Sequence, residues 1–280
     1  MGLKGEKRNI EWSQESLNWM SGCEGPEGDG VHCKGCYAKP MATRLRGRFG
    51  YPKEEPFSVV FHPDKLKIPF KRKAPRVFFS VSMGDWMYAE HEWRRDALQM
   101  MYDCPRHIFV TLTKLYDRLW NIEYDCPEKG LPRPRRRGLV EIPMNVIVGI
   151  SVTNRQQVRG IEKLKEVPAF IRLVCFEPLL EDVSPIVDLE GIGWVIIGKR
   201  TKQGRTPEFK PNKLWVDSLI AKARELDIPV FLKPSMTDRR WYPEPIEETP
   251  YERIRGAMQT QTKIITPPPP GRMCGSGGIY

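Results

Sequence analysis

Three closely spaced cysteines are the residues of this sequence best suited to chemistry. Cys23, Cys33 and Cys36 lie in a glycine-rich stretch, and the last two form a C-x-x-C pair. Cysteine thiolates are ligands that zinc and iron–sulfur clusters prefer in proteins. Three thiolates leave one coordination position for a further ligand. The spacing therefore predicts a loop that holds a metal ion or a cluster.

Spacing alone leaves two kinds of centre open. A structural zinc site would need a fourth ligand, and His32 is nearby, although adjacent residues such as His32 and Cys33 seldom reach one metal together. An iron–sulfur cluster bound by three cysteines would keep one iron free for a substrate or cofactor. Because C-x-x-C occurs in both kinds of site, the pattern favours neither.

The composition predicts a cytoplasmic protein with a polyanionic partner. The chain has 280 residues with 45 basic and 35 acidic side chains, which gives a formal net charge of +10 and a sequence pI near 9.3. Such a charge favours nucleic acid as a partner. No stretch resembles a secretory signal or reaches the roughly 18 apolar residues of a membrane span, so we expect no membrane contact. Seven cysteines without an export signal argue against disulfides.

Short apolar runs alternate with amphipathic segments along most of the chain. About seven strands are predicted, near Trp19 and at residues 76–81, 107–113, 145–152, 171–176, 194–197 and 230–232. Apolar strands separated by helices are typical of a parallel sheet, either closed as a (β/α) barrel or open. The expected organisation is a flexible segment at 1–11, this α/β domain at 12–240 and a largely disordered C-terminal extension at 241–280.

Polar residues follow the predicted strands. In (β/α) barrels the chemistry takes place at the carboxyl ends of the strands. The candidate positions are Cys23 onward, Ser82 to Asp85, Thr113, Ser151 to Asn154, Glu177 and Gly198-Lys199. Asp85 and Asn154 also precede predicted helices, where each would serve as an N-cap. The cap and the site role therefore both stay open for these two residues.

A series of short motifs in fixed order resembles a known family. The motifs are G-C-x9-C-x2-C-Y-A at the cysteines, then S-M-x-D, G-I-S-V, C-F-E-P-L-L and W-V-I-I-G, each at a strand end. Together they resemble a family of phage and bacterial three-Cys-motif proteins related to the radical S-adenosylmethionine (SAM) enzymes. The similarity runs from about Trp12 to Lys233. It implies a partial, TIM-like (β/α) barrel with a [4Fe-4S] cluster on Cys23, Cys33 and Cys36, and SAM on the open iron.

The resemblance also implies positions for the parts of SAM. They are Ser82, Gly84 and Asp85 at the methionine amino group, Ser151 and Asn154 at the ribose, Glu177 and Gly198 along the same cavity, and Tyr37 near the adenine. Reduction of the cluster by an electron donor would cleave SAM to a 5′-deoxyadenosyl radical, which abstracts a hydrogen atom from the substrate. Whether a partner protein is also required stays open.

Charge suggests the class of substrate. Where close members of that family end the sixth strand with G-G-E-S, this chain has Gly198-Lys199-Arg200-Thr201, which puts two cations beside the expected cavity. With Lys202 and Arg205 they are candidates for contact with nucleic acid, and a nucleic-acid base or nucleotide is the favoured substrate. The alternative interpretation is a non-catalytic zinc or iron–sulfur nucleic-acid-binding phage protein. A third is a barrel that has lost its activity and keeps a structural cluster.

Overall fold

A seven-stranded parallel sheet forms the centre of the molecule. The computed structural model describes residues 10–119, 142–236, 241–242 and 244–265. The strands in chain order are β1 (Glu15–Leu17), β2 (Met20–Ser21), β3 (Val60–Phe61), β4 (Val77–Ser80), β5 (Ile108–Thr113), β6 (Val146–Ser151), β7 (Ile171–Phe176), β8 (Trp194–Ile197) and β9 (Val230–Leu232). Strand β1 and strands β4 to β9 lie side by side in that order, and each pairs in parallel with its neighbour. The sheet curls into a half-barrel, which confirms the α/β prediction.

Three of the five helices in the described part of the chain cover one face of this sheet. The helices are α1 (Ala38–Arg44), α2 (His91–Asp103), α3 (Gly160–Glu166), α4 (Lys213–Glu225) and α5 (Tyr251–Ile265). Asn212 caps α4, since its side chain accepts a hydrogen bond from the Leu214 amide at 2.9 Å. Apolar residues of α2, α3 and α4 share one buried cluster with alternate residues of the strands. We call this the outer face and the opposite one the inner face.

The inner face is filled by residues from both ends of the described chain. Trp12 packs against Phe79 of β4 and Trp194 of β8, with ring centroids 4.8 and 6.0 Å apart. Tyr251 of α5 stacks edge-on to Trp194, and its hydroxyl donates to the Trp12 carbonyl at 2.5 Å. Ile254, one turn later, is fully buried in the same cluster. The inner face is therefore a packed core, as in larger (β/α) barrels.

Part of the C-terminal extension is ordered. The Leu232 amide donates to the Ile246 carbonyl at 2.8 Å, and the Glu248 amide donates to the Val230 carbonyl at 3.0 Å. These bonds cover the open edge of β9, and α5 follows directly. The expectation of a largely disordered extension at 241–280 is thereby corrected for this part. Residues 1–9 and 266–280 lie outside the described residues.

The helix predicted after Asp85 starts later than expected. It begins as a 3-10 turn at Trp86–Tyr88 and becomes α-helical only at His91. After β5 the described chain forms a 3-10 turn at residues 116–119, and residues 120–141 lie outside the described part. No helix in the described part of the chain is both long enough and apolar enough to cross a membrane.

Candidate functional site

The cysteine loop is fastened to the carboxyl end of β4. The Gly22 amide donates to the Met83 carbonyl at 3.0 Å, and the Asp85 amide donates back to the Gly22 carbonyl at 3.3 Å. Gly22 has a φ of +96°, and a Cβ there would lie 2.0 Å from the Ser58 carbonyl oxygen. Only glycine fits this crossing. The loop is therefore held at the edge where (β/α) folds place their chemistry.

A buried histidine fixes the start of the same loop. The Ser21 hydroxyl lies 2.8 Å from His62 Nε2, and the His62 amide donates to the Trp19 carbonyl at 2.7 Å. Burial, helped by the charge of Lys65, lowers the pKa of His62 to about 4. His62 is thus neutral at physiological pH, and its ring serves as a hydrogen-bonding partner inside the fold.

The three cysteines share one neighbourhood. Cys23, Cys33 and Cys36 are free thiols and all are half-buried. Burial raises the pKa of Cys23 to about 12, the Gly25 amide at 3.3 Å opposes this, and the charges of Asp85 and the other two cysteines add to it. In the described residues no three His, Cys, Asp or Glu side chains converge on a point that could hold a single metal ion. Cysteine ligands of a four-iron cluster each bind a different iron, and three thiols on one loop suit such a cluster chemically.

Tyr37 connects the loop to the end of β4. Its hydroxyl donates to the Ser82 carbonyl, although 46% of the residue's surface stays exposed. Burial of the hydroxyl raises its pKa, as do the nearby charges of Cys36 and Glu177. The Ser82 hydroxyl itself donates to the Asn18 side chain at 3.2 Å. Tyr37 and Ser82 therefore lie together with Cys36, as the sequence predicted for a common site.

Asp85 is a buried carboxylate whose hydrogen bonds are all made within the fold. It accepts from the Thr113 hydroxyl at 2.7 Å, from the Lys114 amide at 2.8 Å and from the Met87 amide at 3.2 Å. Burial raises its pKa even though all three donors oppose the shift. The bond from Met87 is the predicted N-cap. Asp85 therefore ties the end of β4 to the end of β5, directly beneath the cysteine loop.

Asn154 and Ser151 occupy different surroundings. The Asn154 side chain accepts from the Gln157 amide at 3.1 Å and caps the turn at Arg155–Arg159, which is the second predicted cap. Ser151 ends β6 and is 8% exposed. Because alternate residues of a strand share a face, Ser151 follows Ile147 and Gly149 along the inner face. The structure thus places Ser151 near the inner rim and Asn154 in a turn beyond it.

An ion pair crosses the ends of three strands. Lys233, just after β9, lies 2.6 Å from Glu177, just after β7, and 3.1 Å from Glu11. Burial alone would lower the pKa of Lys233, but the charges of Glu177 and Glu11 raise it, so Lys233 is charged. Gly198 follows β8 between them, and a Cβ there would lie 2.9 Å from side-chain atoms of both Glu177 and Lys233. Glycine at 198 therefore lets the pair form.

The comparison with known families assigns this chain to one of them. A family model described as "Protein of unknown function (DUF5131)" matches residues 7–246. The chain belongs to this family. The DUF5131 match covers the cysteine loop and all strands of the half-barrel. Searches of curated proteins and of solved structures gave no match.

Two cations of this DUF5131 chain were missed by the sequence analysis. Lys233 was not among the candidates, although it follows β9 just as Glu177 follows β7. Lys114 was also missed; its charge lowers the pKa of Glu177, against the burial that raises it. The rule that polar residues after parallel strands meet at one edge would have found both. The site thus combines the cysteine loop and Tyr37 with a charged rim formed by Lys114, Glu177 and Lys233.

Proposed function

We propose that this protein is a radical SAM enzyme that holds a [4Fe-4S] cluster on Cys23, Cys33 and Cys36. The observation that supports it most is the attachment of the three-cysteine loop to the carboxyl edge of a parallel half-barrel. In that position a cofactor on the loop would face the charged rim. When bound and reduced, such a cluster supplies the electron that cleaves SAM to a 5′-deoxyadenosyl radical.

The charged rim suits the amino-acid end of SAM. That end is a zwitterion, with an ammonium and a carboxylate. Glu177 would accept from the ammonium, and Lys233 and Lys114 would donate to the carboxylate, so that ion pairs with the ligand replace the pair between Lys233 and Glu177. Asp85 already accepts three hydrogen bonds within the fold. We therefore assign the ammonium contact to Glu177, and Asp85 supports the loop.

The remaining polar residues would orient the nucleoside end of SAM. Ser151 would supply a hydroxyl for the ribose from the carboxyl end of β6. Tyr37 keeps its hydroxyl on the Ser82 carbonyl, which leaves the exposed part of its ring free to stack on a base. A small apolar cluster that includes Phe57 and Met83 packs against Cys23 and Cys36 and would hold the loop in place.

The test is anaerobic purification followed by iron, sulfide and zinc analysis and an assay for 5′-deoxyadenosine after reduction with SAM present. About four irons per chain and formation of 5′-deoxyadenosine are expected. The alanine variants of Cys23, Cys33 and Cys36 should each lose both. Cys104→Ala is the matched control, because Cys104 is a buried cysteine at the end of α2 and should keep both.

A rim variant separates cluster binding from SAM binding. Glu177→Gln should keep the iron content and weaken SAM binding about tenfold or more, because the ammonium loses a charged acceptor. A colourless protein that holds one zinc would overturn the proposal and favour the non-catalytic alternative. Full SAM cleavage in any of the three cysteine variants would overturn it as well.

A further inference from the structure

The surface beside the cysteine loop carries a set of exposed cations. They lie on the second half of the loop, on α1 and the turn after it, and on a hairpin that follows β8. The residues are Lys34, Lys39, Arg44, Arg46, Arg48, Lys202 and Arg205. We call this set the basic ridge. A charge run of this kind often marks only a solvated face, so its surroundings decide what it can do.

Two parts of the basic ridge are in contact, the cysteine loop and the hairpin, and α1 continues from the loop. Residues 200–209 form a small hairpin through bridges between Arg200 and Phe209 and between Gln203 and Thr206. This hairpin packs on the cysteine loop, since a Cβ at Gly35 would lie 3.2 Å from Thr206 and 3.3 Å from Arg200. Lys34 adjoins Gly35, and α1 begins at Ala38. The ridge therefore borders the loop directly.

The ridge charges are not neutralised by the fold. Among the described residues none of them forms an ion pair, whereas Lys165 contacts both Glu162 and Asp188, and Lys213 contacts Asp217. Acidic residues of the cysteine loop occur only in its first half, from Glu24 to Asp29. That half lies against Tyr88, whose hydroxyl donates to the Gly25 carbonyl. The ridge side thus has a net positive field.

An exposed aromatic residue is held out among these cations. Phe49 is 72% exposed and has a φ of +54°, which is strained for a bulky side chain. The turn is fixed by Gly50, where a Cβ would lie 2.7 Å from His62 Nδ1. Neither core packing nor backbone preference accounts for a phenylalanine here. An aromatic ring beside cations is the arrangement that proteins use to stack a base and hold its phosphates.

We propose that the basic ridge and Phe49 bind a single-stranded nucleic acid and lead it to the cysteine loop. The cations contact the phosphates, and Phe49 stacks on one base. Single strands are favoured over duplexes because bases inside a duplex are not free to stack on a side chain. Binding of a single strand at the ridge does not require the cluster. Only the interpretation of the bound strand as the substrate rests on the proposed function.

The experiment measures binding of fluorescent oligonucleotides to anaerobically purified protein by anisotropy over a range of salt concentrations. The probes are single-stranded RNA and DNA of one mixed sequence, the matching duplex, and vesicles containing anionic phospholipid. The ridge variant changes Arg44, Arg46 and Arg48 to Gln. The control changes Lys71, Lys73 and Arg224 to Gln, which removes the same charge at the amino ends of β4 and β9.

We expect the ridge variant to bind single strands at least tenfold more weakly near 0.1 M salt. Its log–log salt slope should fall by about 2, since each lost phosphate contact contributes about 0.7. The control should change affinity less than twofold. Phe49→Asn should weaken binding about fivefold or more without changing the salt slope, because a stacking contact carries no charge.

Several results would overturn this inference. They are equal weakening by ridge and control variants, tighter binding of duplex than of single strand, no effect of Phe49→Asn, and binding of the vesicles alone. The assay also separates this inference from the proposed function. Ridge-dependent binding by a protein without a cluster would support the ridge and contradict the radical SAM proposal. SAM cleavage by a protein that shows no ridge-dependent binding would support the radical SAM proposal and contradict the inference about the ridge.

Discussion

Two regions at the carboxyl edge of the sheet hold their buried polar groups in opposite ways. Beneath the cysteine loop, Asp85 and His62 bond to hydroxyl and backbone groups of their neighbours. At the rim, Glu177 is held by the charged side chain of Lys233. The first arrangement contains no partner that a ligand can replace. The second is a pair of opposite charges, and a zwitterionic ligand can replace each member.

The difference indicates which carboxylate supports the structure and which one binds. A carboxylate bonded to backbone amides cannot exchange them without disrupting the chain around it. Lys233 is a long side chain that can turn to a new acceptor at small conformational cost, and so Glu177 can be released to a ligand. We therefore expect changes at the loop support to lower stability and changes at the rim to alter binding more than stability.

The largest expected effect is from Asp85→Ala, which leaves the Thr113 hydroxyl and the Lys114 and Met87 amides without their acceptor. Each such buried group costs about 1–3 kcal/mol, so the free energy of unfolding should fall by about 4 kcal/mol. Urea denaturation measures this fall in the free energy of unfolding. Asn154→Ala removes a comparable cap near the surface and should cost about 1 kcal/mol. Equal losses from the two variants would contradict the supporting role of Asp85.

His62 should make the loop support sensitive to acid. Its pKa is lowered to about 4 in the folded protein, so between pH 6.5 and 4 the unfolded chain binds more protons. His62 therefore contributes stability that is present above pH 6.5 and is lost as the pH falls toward 4, about 3 kcal/mol in all. Denaturation at a series of pH values measures this loss. His62→Gln should flatten the curve, and an unchanged slope would contradict the assignment.

A double-mutant cycle tests the rim pair. Lys233→Met removes the cation that pairs with Glu177 and Glu11 and should lower the free energy of unfolding by about 2 kcal/mol, less than for a fully buried pair because these side chains keep some exposure. Adding Glu177→Gln to the Lys233→Met variant should restore about half of the lost free energy of unfolding. Additive losses, measured by urea denaturation, would show that the two side chains are not coupled.

The smallest effect has the opposite sign. Phe49→Asn should raise the free energy of unfolding by about 1 kcal/mol, because asparagine tolerates the left-handed backbone that phenylalanine adopts at a cost. Thermal denaturation measures the gain. A loss of stability would mean that the ring packs on the fold, and the argument for an exposed stacking surface would lose its basis.

The sequence predicts the central strands best. β7 and β8 begin and end where predicted, at Ile171–Phe176 and Trp194–Ile197, because each is a short apolar run between polar residues. Helix α5 was not predicted, since its buried residues find their partner in Trp12 at the other end of the chain. Local pattern carries no information about such a distant contact.

The candidate site also has a part that the sequence predicts and a part that it does not. The order of strands and cysteines predicts that Cys36, Ser82 and Glu177 come together, and the family resemblance adds Tyr37; the structure brings these residues into one neighbourhood. That Asp85 is satisfied by the Lys114 amide depends on backbone geometry, which side-chain identity does not reveal. Assignment of cluster and SAM to these residues stays a prediction.

The bond between Tyr251 and Trp12 has a consequence for how the protein folds. It joins residues 239 positions apart, and both fill the inner face of the sheet. A chain emerging from the ribosome can pair its strands and cover them with α2 to α4, but it cannot close the inner core until α5 has been synthesised. Contacts of such long sequence separation slow folding. The nascent half-barrel therefore passes through a stage with exposed apolar surface, and at that stage the chain is most prone to aggregation.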